Sequence, residues 1–428
     1  MGKQERTVAK SRKVCENKEN ICFKGEKPME RSFFSLGETE SVLAEPLAAL
    51  RHELHEHPER SGQERETTER LRARFNQAPF EILPLPLTTG LAVRIPGKGP
   101  GKRVAIRADM DALPVAEWEQ NPIRSQNDGV MHACGHDMHM AFVYGAGLLL
   151  SRNRDRFCGE VLLVFQPAEE IGEGARQMLD AGLFERYPVD HILGGHVKPE
   201  LSAGRISVRT GPVMAALDGF FIEILGQGGH GACPHTCRDP IVAAAATVLA
   251  LQTVASRTSD PSLACALSVC RIQGGETDNV IPDRVILEGT MRTVDDDQRT
   301  ACLDRFRTVV ESTAAAMGCQ ARITFQRGMP PVVNDDRTAR ICRDRARALL
   351  GEDRITALPV DTISEDFSLF AQRAPGCYIG IGTARPGENV YPLHSDRFCP
   401  GDELLPLGAT VFAEMALGLL NEDKEIGL

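Results

Sequence analysis

The chain has 428 residues, past the length at which a single core stops growing, so two domains are expected. Hydrophobic residues make up 42% and charged residues 25%, the balance of a soluble globular protein. The net charge of -10, with no dense Lys/Arg stripe in the body of the chain, argues against nucleic acid or an anionic membrane surface as partner. The 13 cysteines are an odd count, scattered through apolar stretches. They read as buried, reduced thiols and imply a cytoplasmic protein. No apolar run is expected to reach the ~18 residues of a membrane span.

Residues 1–40 are rich in Lys, Arg and Glu and poor in apolar residues, which predicts a disordered tail. No apolar stretch follows the early basic residues, as a secretory signal requires. Leu43, Leu47, Leu50 and Leu54 then recur at helical spacing, and Pro58 closes that helix. Short apolar runs follow at Val104–Ile106, Val161–Phe165 and Ile192–Leu193, with helical stretches at His139–Leu150 and Gly174–Ala181 between them. This alternation predicts an α/β fold with a mainly parallel sheet flanked by helices.

From about Leu217 the pattern changes. Phe220–Leu225, Leu263–Ile272, Arg284–Val294 and Gln320–Gln326 read as strands, and Asp239–Arg257 and Asp297–Met317 as helices. The order β-α-β-β-α-β is that of a compact unit with an antiparallel sheet. It predicts an α+β domain over 215–327 inserted between two parts of a first domain, 41–214 and 328–428. The second part carries a helix at Asp335–Leu350, a strand at Cys377–Ile381 and a closing helix at Glu403–Asn421.

Polar clusters follow the apolar runs: Asp109 and Asp111 after the first, Glu169-Glu170 after the second, His196 after the third. In open α/β sheets functional groups gather at the carboxyl ends of strands, so these residues are expected on one rim. His132-Ala133-Cys134-Gly135-His136-Asp137 precedes a helix and is expected to face it. Cys134 and His136 point the same way in an extended segment, with Gly135 free to bend between them. Thiolate, imidazole and carboxylate suit Zn best and leave Mn, Co or Ni open. A bound metal lowers the pKa of its water to roughly 7, and a neighbouring carboxylate takes the proton. Glu169 and Glu170 can divide these two roles, in either order.

Arg107-Ala-Asp-Met-Asp-Ala-Leu-Pro114, His132-Ala-Cys-Gly-His-Asp-Met-His139 and Phe165-Gln-Pro-Ala-Glu-Glu170 resemble the hippurate hydrolase and aminoacylase-like amidohydrolases, with the plant auxin-conjugate hydrolases. Leu54-His55-x-x-Pro58-Glu59, Gly229-His230-x-x-x-Pro234-His235, Asp239-Pro240, Asn279-Val-Ile-Pro-Asp283, Gly289-Thr-Met-Arg292, Ser364-Glu-Asp-Phe367 and His394 continue the match in order. Ile363 departs from the Gly common in relatives before the Ser-Glu-Asp-Phe stretch. The resemblance implies a zinc-exopeptidase-like catalytic domain, two divalent metal ions per subunit, and a homodimer formed through the inserted domain. It implies Cys134, His136, Glu170, His196 and His394 as metal ligands and Glu169 as general base and acid. Asp109 and Asp111 would steady the site from behind. His230 would reach a partner's site to hold the oxyanion, and Asn279 and Arg292 would bind substrate. The implied reaction is hydrolysis of an N-acyl amino acid to a carboxylate and an amine. A dipeptidase, a carboxypeptidase-like enzyme, a deaminating hydrolase on the same site, or an inactive binding protein are the alternatives. His139 and His235 are read as packing or supporting groups, and His55 and His57 as helix-end residues. Cys233 and Cys237 lack the second ligand pair of a structural zinc clip.

Overall fold

The computed structural model describes residues 31–326 and 328–422. The expected tail therefore falls, for residues 1–30, outside the described residues. From Ser32 onward that expectation is corrected. Ser32 Oγ (3.0 Å) and the backbone N–H of Phe33 (2.9 Å) donate to the buried Glu414 carboxylate, and Arg345 stacks 4.2 Å over the Phe33 ring. These partners lie hundreds of residues away along the chain, so local composition could not reveal them.

The chain runs α1 (Leu36–Glu56), α2 (Arg65–Arg74), β1 (Glu81–Ile82), β2 (Leu91–Pro96), β3 (Arg103–Asp109), α3 (His136–Arg152), β4 (Glu160–Gln166), α4 (Gly174–Asp180), α5 (Leu183–Arg186), β5 (His191–Ser202), β6 (Ile206–Ser207) and β7 (Gly211–Met214). It continues β8 (Ala216–Leu225), β9 (Gly229–His230), α6 (Pro240–Arg257), β10 (Cys265–Gln273), β11 (Val280–Ile281), β12 (Arg284–Thr293), α7 (Asp296–Ala316) and β13 (Gln320–Phe325). It closes with β14 (Val332–Asn334), α8 (Asp336–Leu350), β15 (Ile355–Thr356), α9 (Phe367–Ala371), β16 (Gly376–Ala384) and α10 (Leu405–Asn421).

The main sheet has eight strands in the order β1-β2-β4-β3-β5-β16-β6-β15. Its centre, β4-β3-β5-β16, is parallel, but β2 runs antiparallel to β4 and β6 antiparallel to β16. The sheet is thus mixed, with the expected parallel strands at its centre and antiparallel pairings beyond them. An apolar run does not declare which way its strand pairs, and β2 (Leu91–Pro96) is as apolar as its parallel neighbours. Helices α1, α3 and α10 cover one face around Leu47, Phe142, Val197 and Leu417. Helices α4 and α9 cover the other around Met178, Phe367 and Tyr378.

The stretch β8-α6-β10-β12-α7-β13 has the expected element order and an antiparallel sheet of four strands, β10-β12-β8-β13. It buries its own apolar set, with Phe220, Ile222, Leu251, Leu287 and Phe306 at the centre. Its helices start where side chains cap them. Asp239 accepts from Ile241 N (2.8 Å) ahead of Pro240 at the first helical position, and Asp295 accepts from Gln298 N (2.8 Å). The outgoing strand β7 and the returning strand β14 pair antiparallel, so the chain leaves and rejoins the main body at one place.

Two helical segments are, against expectation, long and apolar enough to pass as membrane spans by length and hydropathy: Pro240–Arg257 and Asp402–Asn421. The second is 89% buried within the fold, as a core helix enclosed on all sides must be. The first is 33% buried and turns Ile241, Val242 and Leu249 outward.

Candidate active site

The expected rim forms. Asp109 ends β3, Glu169-Glu170 follow β4 by a short turn, and His136 opens α3. His196 sits inside β5, which continues to Ser202, rather than after it as the sequence suggested. Gly135 holds φ +84° ahead of α3, and a Cβ there would meet Val197 Cγ2 at 2.6 Å. Only glycine fits between Cys134 and His136 at this approach. Ala168 (φ 52°) and His394 (φ 67°) are the non-glycine residues with positive φ among the described residues, and both flank the cluster. Such backbone persists where surrounding structure over-determines it. Here Ala168 N donates to Glu64 Oε1 (2.8 Å) and His394 N to the Ala133 carbonyl (2.8 Å).

The side chains converge in two triads that share Cys134. Ligand atoms of Cys134, His136 and His196 lie within 4.8 Å of one another, as do those of Cys134, Glu170 and His394. Cys134 Sγ is 3.2 Å from His196 Nε2, and Glu170 Oε1 is 3.6 Å from His394 Nε2 and 3.8 Å from His136 Nε2. Second hydrogen bonds fix which ring nitrogen faces inward. His136 Nδ1 donates to the Asp111 carbonyl (2.9 Å), and His196 Nδ1 to the Val197 carbonyl (2.7 Å). Their Nε2 atoms then face the centre, where a metal would take the place of a proton. His136 Nε2 and Glu170 Oε1 are buried with no hydrogen-bond partner. Orphaned buried polar atoms of this kind are expensive unless a bound group meets them.

The electrostatics agree. Burial pushes Cys134 well up, and Glu170 and Glu169 push the same way. Burial and then the Glu365 and Asp366 carboxylates raise Glu169, and burial raises Glu170. His196 is pushed well down by burial and by His139, so it is neutral. His136 is the exception: burial would lower it, but Asp109, Cys134 and Asp111 together hold it well above the usual range. The pocket therefore collects acids, a thiol and the neutral imidazole of His196, and their combined demand for positive charge falls on His136. That donor set fits divalent transition metal, with sulfur and nitrogen favouring zinc.

The comparisons with known proteins bear on this cluster directly. The profile of Peptidase family M20/M25/M40 matches residues 105–418. The chain belongs to that family. An N-acetylcysteine deacetylase of Bacillus subtilis is 40% identical over 379 residues, 88% of this chain and 98% of the relative. Thermostable carboxypeptidase 2 of Saccharolobus solfataricus is 36% identical, over 88% of this chain and 96% of its own. An IAA-amino acid hydrolase of Arabidopsis thaliana is 35% identical, over 88% and 86%. Among solved structures, a dinuclear metal binding peptidase of the M20 family from Bacillus subtilis superposes with a TM-score of 0.80. It is 37% identical and covers 89% of this chain and 99% of its own.

Behind this M20 centre stands a layer that the sequence reading only partly identified. Asp111 accepts from Ser61 Oγ (2.6 Å) and from the backbone N–H of Glu169 (3.1 Å) and Glu170 (3.0 Å), so it fixes the turn that carries both glutamates. Asp109 accepts from His139 Nδ1 (2.6 Å), while His139 Nε2 accepts from Val197 N (3.0 Å). Both ring nitrogens of His139 are thereby used, which supports the reading of it as a supporting group. Arg107 opens the first motif, and its role shows only in the fold. It is fully buried and donates to Asp109 (2.8 Å), Glu365 (2.9 Å) and Asp366 (3.0 Å). A charged residue between Ile106 and Ala108 in an apolar strand was the signal. His55 is more than a helix-end residue: it bonds Asp137 (3.0 Å) and Glu117 (2.9 Å), and Arg51 also donates to Asp137 (3.0 Å). This network anchors the residue after His136.

The remaining candidates lie apart. His230 is exposed on β9, where its Nδ1 accepts from Ala232 N (3.1 Å) and leaves Nε2 open. Asn279 is exposed beside it, its carbonyl accepting from Gly231 N (2.8 Å). Among the described residues no hydrogen bond or ion pair joins either one to the Cys134 cluster. Arg292, half-buried on β12, reaches Ser364 Oγ (3.1 Å), next to Glu365. His235 is exposed. The thiols are less uniformly buried than expected: Cys302, Cys319, Cys342 and Cys377 are buried, Cys233 and Cys270 exposed, and all are free. The exposed pair sits on the inserted stretch, where a thin sheet-and-helix layer leaves few positions fully enclosed.

Proposed function

We propose that this M20 protein hydrolyses the amide bond of N-acyl amino acids to a carboxylate and an amine, with two divalent metal ions as cofactor. One observation carries the proposal: two donor triads share Cys134, and Glu169 stands beside them with its carboxylate 4.0 Å from His136 Nε2. Cys134, His136 and His196 would hold one ion, and Cys134, Glu170 and His394 the other, with zinc the first choice and Mn, Co or Ni the alternatives. When bound, the metal polarises the amide carbonyl and makes water acidic enough to attack near neutral pH.

Glu169 takes the proton from water and returns it to the leaving amine. Its raised proton affinity in the metal-free pocket suits it to hold that proton between the two steps. Asp111 keeps Glu169 and Glu170 in register through their backbone N–H groups. Arg107 bridges Asp109, Glu365 and Asp366 and offsets part of their mutual repulsion, which helps hold these acids in place. His230 stabilises the oxyanion as a hydrogen-bond donor, a preorganised electrostatic role. Arg292 pairs with the substrate carboxylate, and Asn279 contacts the substrate.

The 215–327 stretch acts as an inserted lid and dimerisation domain, and His230 serves a second subunit's site. Its exposed Nε2, the outward Ile241, Val242 and Leu249 of α6, and the edge strand β10 support this reading. A cytoplasmic location is supported by exposed free thiols at Cys233 and Cys270. A carboxypeptidase reading of the same site is favoured by the name of the Saccharolobus relative.

The test is the metal-loaded enzyme on hippurate, N-acetyl amino acids, indole-acyl amino acids and unblocked dipeptides side by side. Release of free amino acid from the acylated set is expected. Turnover of dipeptides alone would select the carboxypeptidase reading, and ammonia as the sole amine product would refute the amidase.

A further inference from the structure

Three consecutive backbone N–H groups, those of Ala168, Glu169 and Glu170, are held by side-chain carboxylates. Asp111, just past β3, takes the last two. The first goes to Glu64 Oε1 (2.8 Å), which comes from the connection between α1 and α2. The same oxygen accepts from Gly62 N (2.8 Å), so the carboxylate is fixed from its own side as well. Ser61, three residues earlier, donates to Asp111 Oδ2 (2.6 Å). This one connection therefore grips the glutamate turn twice. Glu64 is fully buried, and its Oε2 has no hydrogen-bond partner. A buried acid so placed is costly to the fold, yet it meets the chain at the residue before the glutamate pair.

Ala168 needs such a grip. Its φ of 52° lies in the left-handed region, where the Cβ of a non-glycine residue crowds the backbone. The stretch around it has little slack. Thr68 Oγ1 donates to the Glu64 carbonyl (2.6 Å) and accepts from Gly90 N (2.9 Å). Gly90 in turn lies so close to Pro167 that a Cβ on it would meet Pro167 Cδ at 2.6 Å. The Ala168 carbonyl accepts from Glu173 N (3.2 Å) and Gly174 N (3.1 Å). Both polar groups of the Ala168 backbone are thus tied, and its dihedrals set the direction in which the chain enters Glu169. Relaxation of Ala168 to negative φ would swing the Glu169 carboxylate from its place 4.0 Å from His136 Nε2.

We propose that Glu64 is a positioning residue for Glu169: by holding the Ala168 N–H it keeps a strained turn in the conformation that aims the base at the centre. The inference rests on Glu169 as the base of the amide hydrolysis proposed above. Glu64 and Asp111 then divide the work, one fixing the entry to the turn and the other its two glutamates.

The test follows the metal-loaded full chain on the N-acyl amino acid it cleaves fastest. Glu64→Ala should lower kcat by about tenfold or more, with KM little changed and both ions retained, since misplacing a group by ~1 Å can cost about 10²-fold. Glu64→Gln keeps the acceptor oxygen and should keep most of kcat. In an Ala168→Gly chain, Glu64→Ala should cost roughly fivefold less, because glycine takes positive φ without a clamp. In a Glu169→Gln chain, which has no base to aim, Glu64→Ala should cost little more. Solvent exchange of the Ala168 amide should quicken in Glu64→Ala and not in Glu64→Gln, a readout independent of turnover. If Glu64→Ala does not fold, Glu64→Asp, which draws the carboxylate back by one methylene, takes its place with the same expectations. An unchanged kcat per metal-loaded chain overturns the inference, as does unchanged exchange at Ala168. Ion loss that accounts for the whole drop also overturns it, as does an equal cost in the Ala168→Gly or Glu169→Gln chain. A Glu169→Gln chain that itself keeps full turnover would instead refute the base assignment, and the inference with it, so the two failures are distinguishable.

Discussion

The cluster at the ends of β3, β4 and β5 and the His230–Asn279 pair at the edge of the inserted sheet are built on opposite physical terms. In the cluster the polar groups from β3, β4, β5 and α3 are largely buried and have partners behind them: Asp111 behind the glutamate turn, Arg107 behind Asp109, backbone carbonyls behind His136 and His196; His394 alone of the candidate ligands is exposed. In the pair both side chains are exposed, and among the described residues nothing fixes His230 Nε2. Burial makes geometry cheap to hold and costly to change, because a displaced polar group loses its only partner. Exposure leaves geometry to be set from outside, by substrate or by a second subunit. Under the proposed mechanism the metal-binding half would be complete in one chain, and the oxyanion half would be completed from outside it.

The largest effect expected is on the buried half. Chelation should remove turnover entirely, and zinc or manganese should restore it, with metal content followed by elemental analysis. A chelated, metal-free protein that kept its turnover would break the comparison at its root. Next, Glu169→Gln should lower kcat by on the order of 10²-fold or more while both ions stay bound, since it removes proton transfer and no ligand. Near-normal turnover with full metal content would show that another group moves the proton. His230→Ala should then cost roughly 10²-fold in kcat, again with metal retained, as for loss of one oxyanion donor. Mixing it with Glu169→Gln sharpens the point. If His230 acts across subunits, mixed dimers regain activity that neither variant has alone. No recovery in confirmed mixed dimers would place His230 on its own chain's site.

The smallest effect expected is on stability. His55 is raised to about 9 from an ordinary 6.5: burial works against this, and Asp137 and Glu117 overcome it. A group with a raised folded pKa stabilises fully below its unfolded value and loses that contribution as pH rises through the folded one. The denaturation midpoint should therefore fall by a few degrees between about pH 6.5 and 9, and His55→Gln should flatten that slope. An unchanged slope in His55→Gln would assign the pH dependence to other groups.

Most elements were legible in the sequence because their patterns are local. The apolar runs of β3 and β4, the capped starts of α6 and α7 and the helical spacing of α1 need only neighbours along the chain. The strands β1, β6, β7 and β15 were not legible, being two to four residues long and fixed by pairing alone. Glu365 and Asp366 are visible within a motif, but their partner is hidden for a similar reason. Adjacent acids read as a surface pair until Arg107, more than 250 residues away, is found between them.

By itself the sequence determined the residue types of the site and the order in which strands deliver them, since a thiol, imidazoles and carboxylates at strand ends follow from pattern and spacing. The tertiary structure decided what those residues share. It made Cys134 common to two triads, turned His136 Nε2 inward through a hydrogen bond to the Asp111 carbonyl, brought His196 Nε2 to Cys134, and left His230 outside. Those choices depend on distances between segments far apart in the chain, and these are set only when the sheet and its covering helices pack.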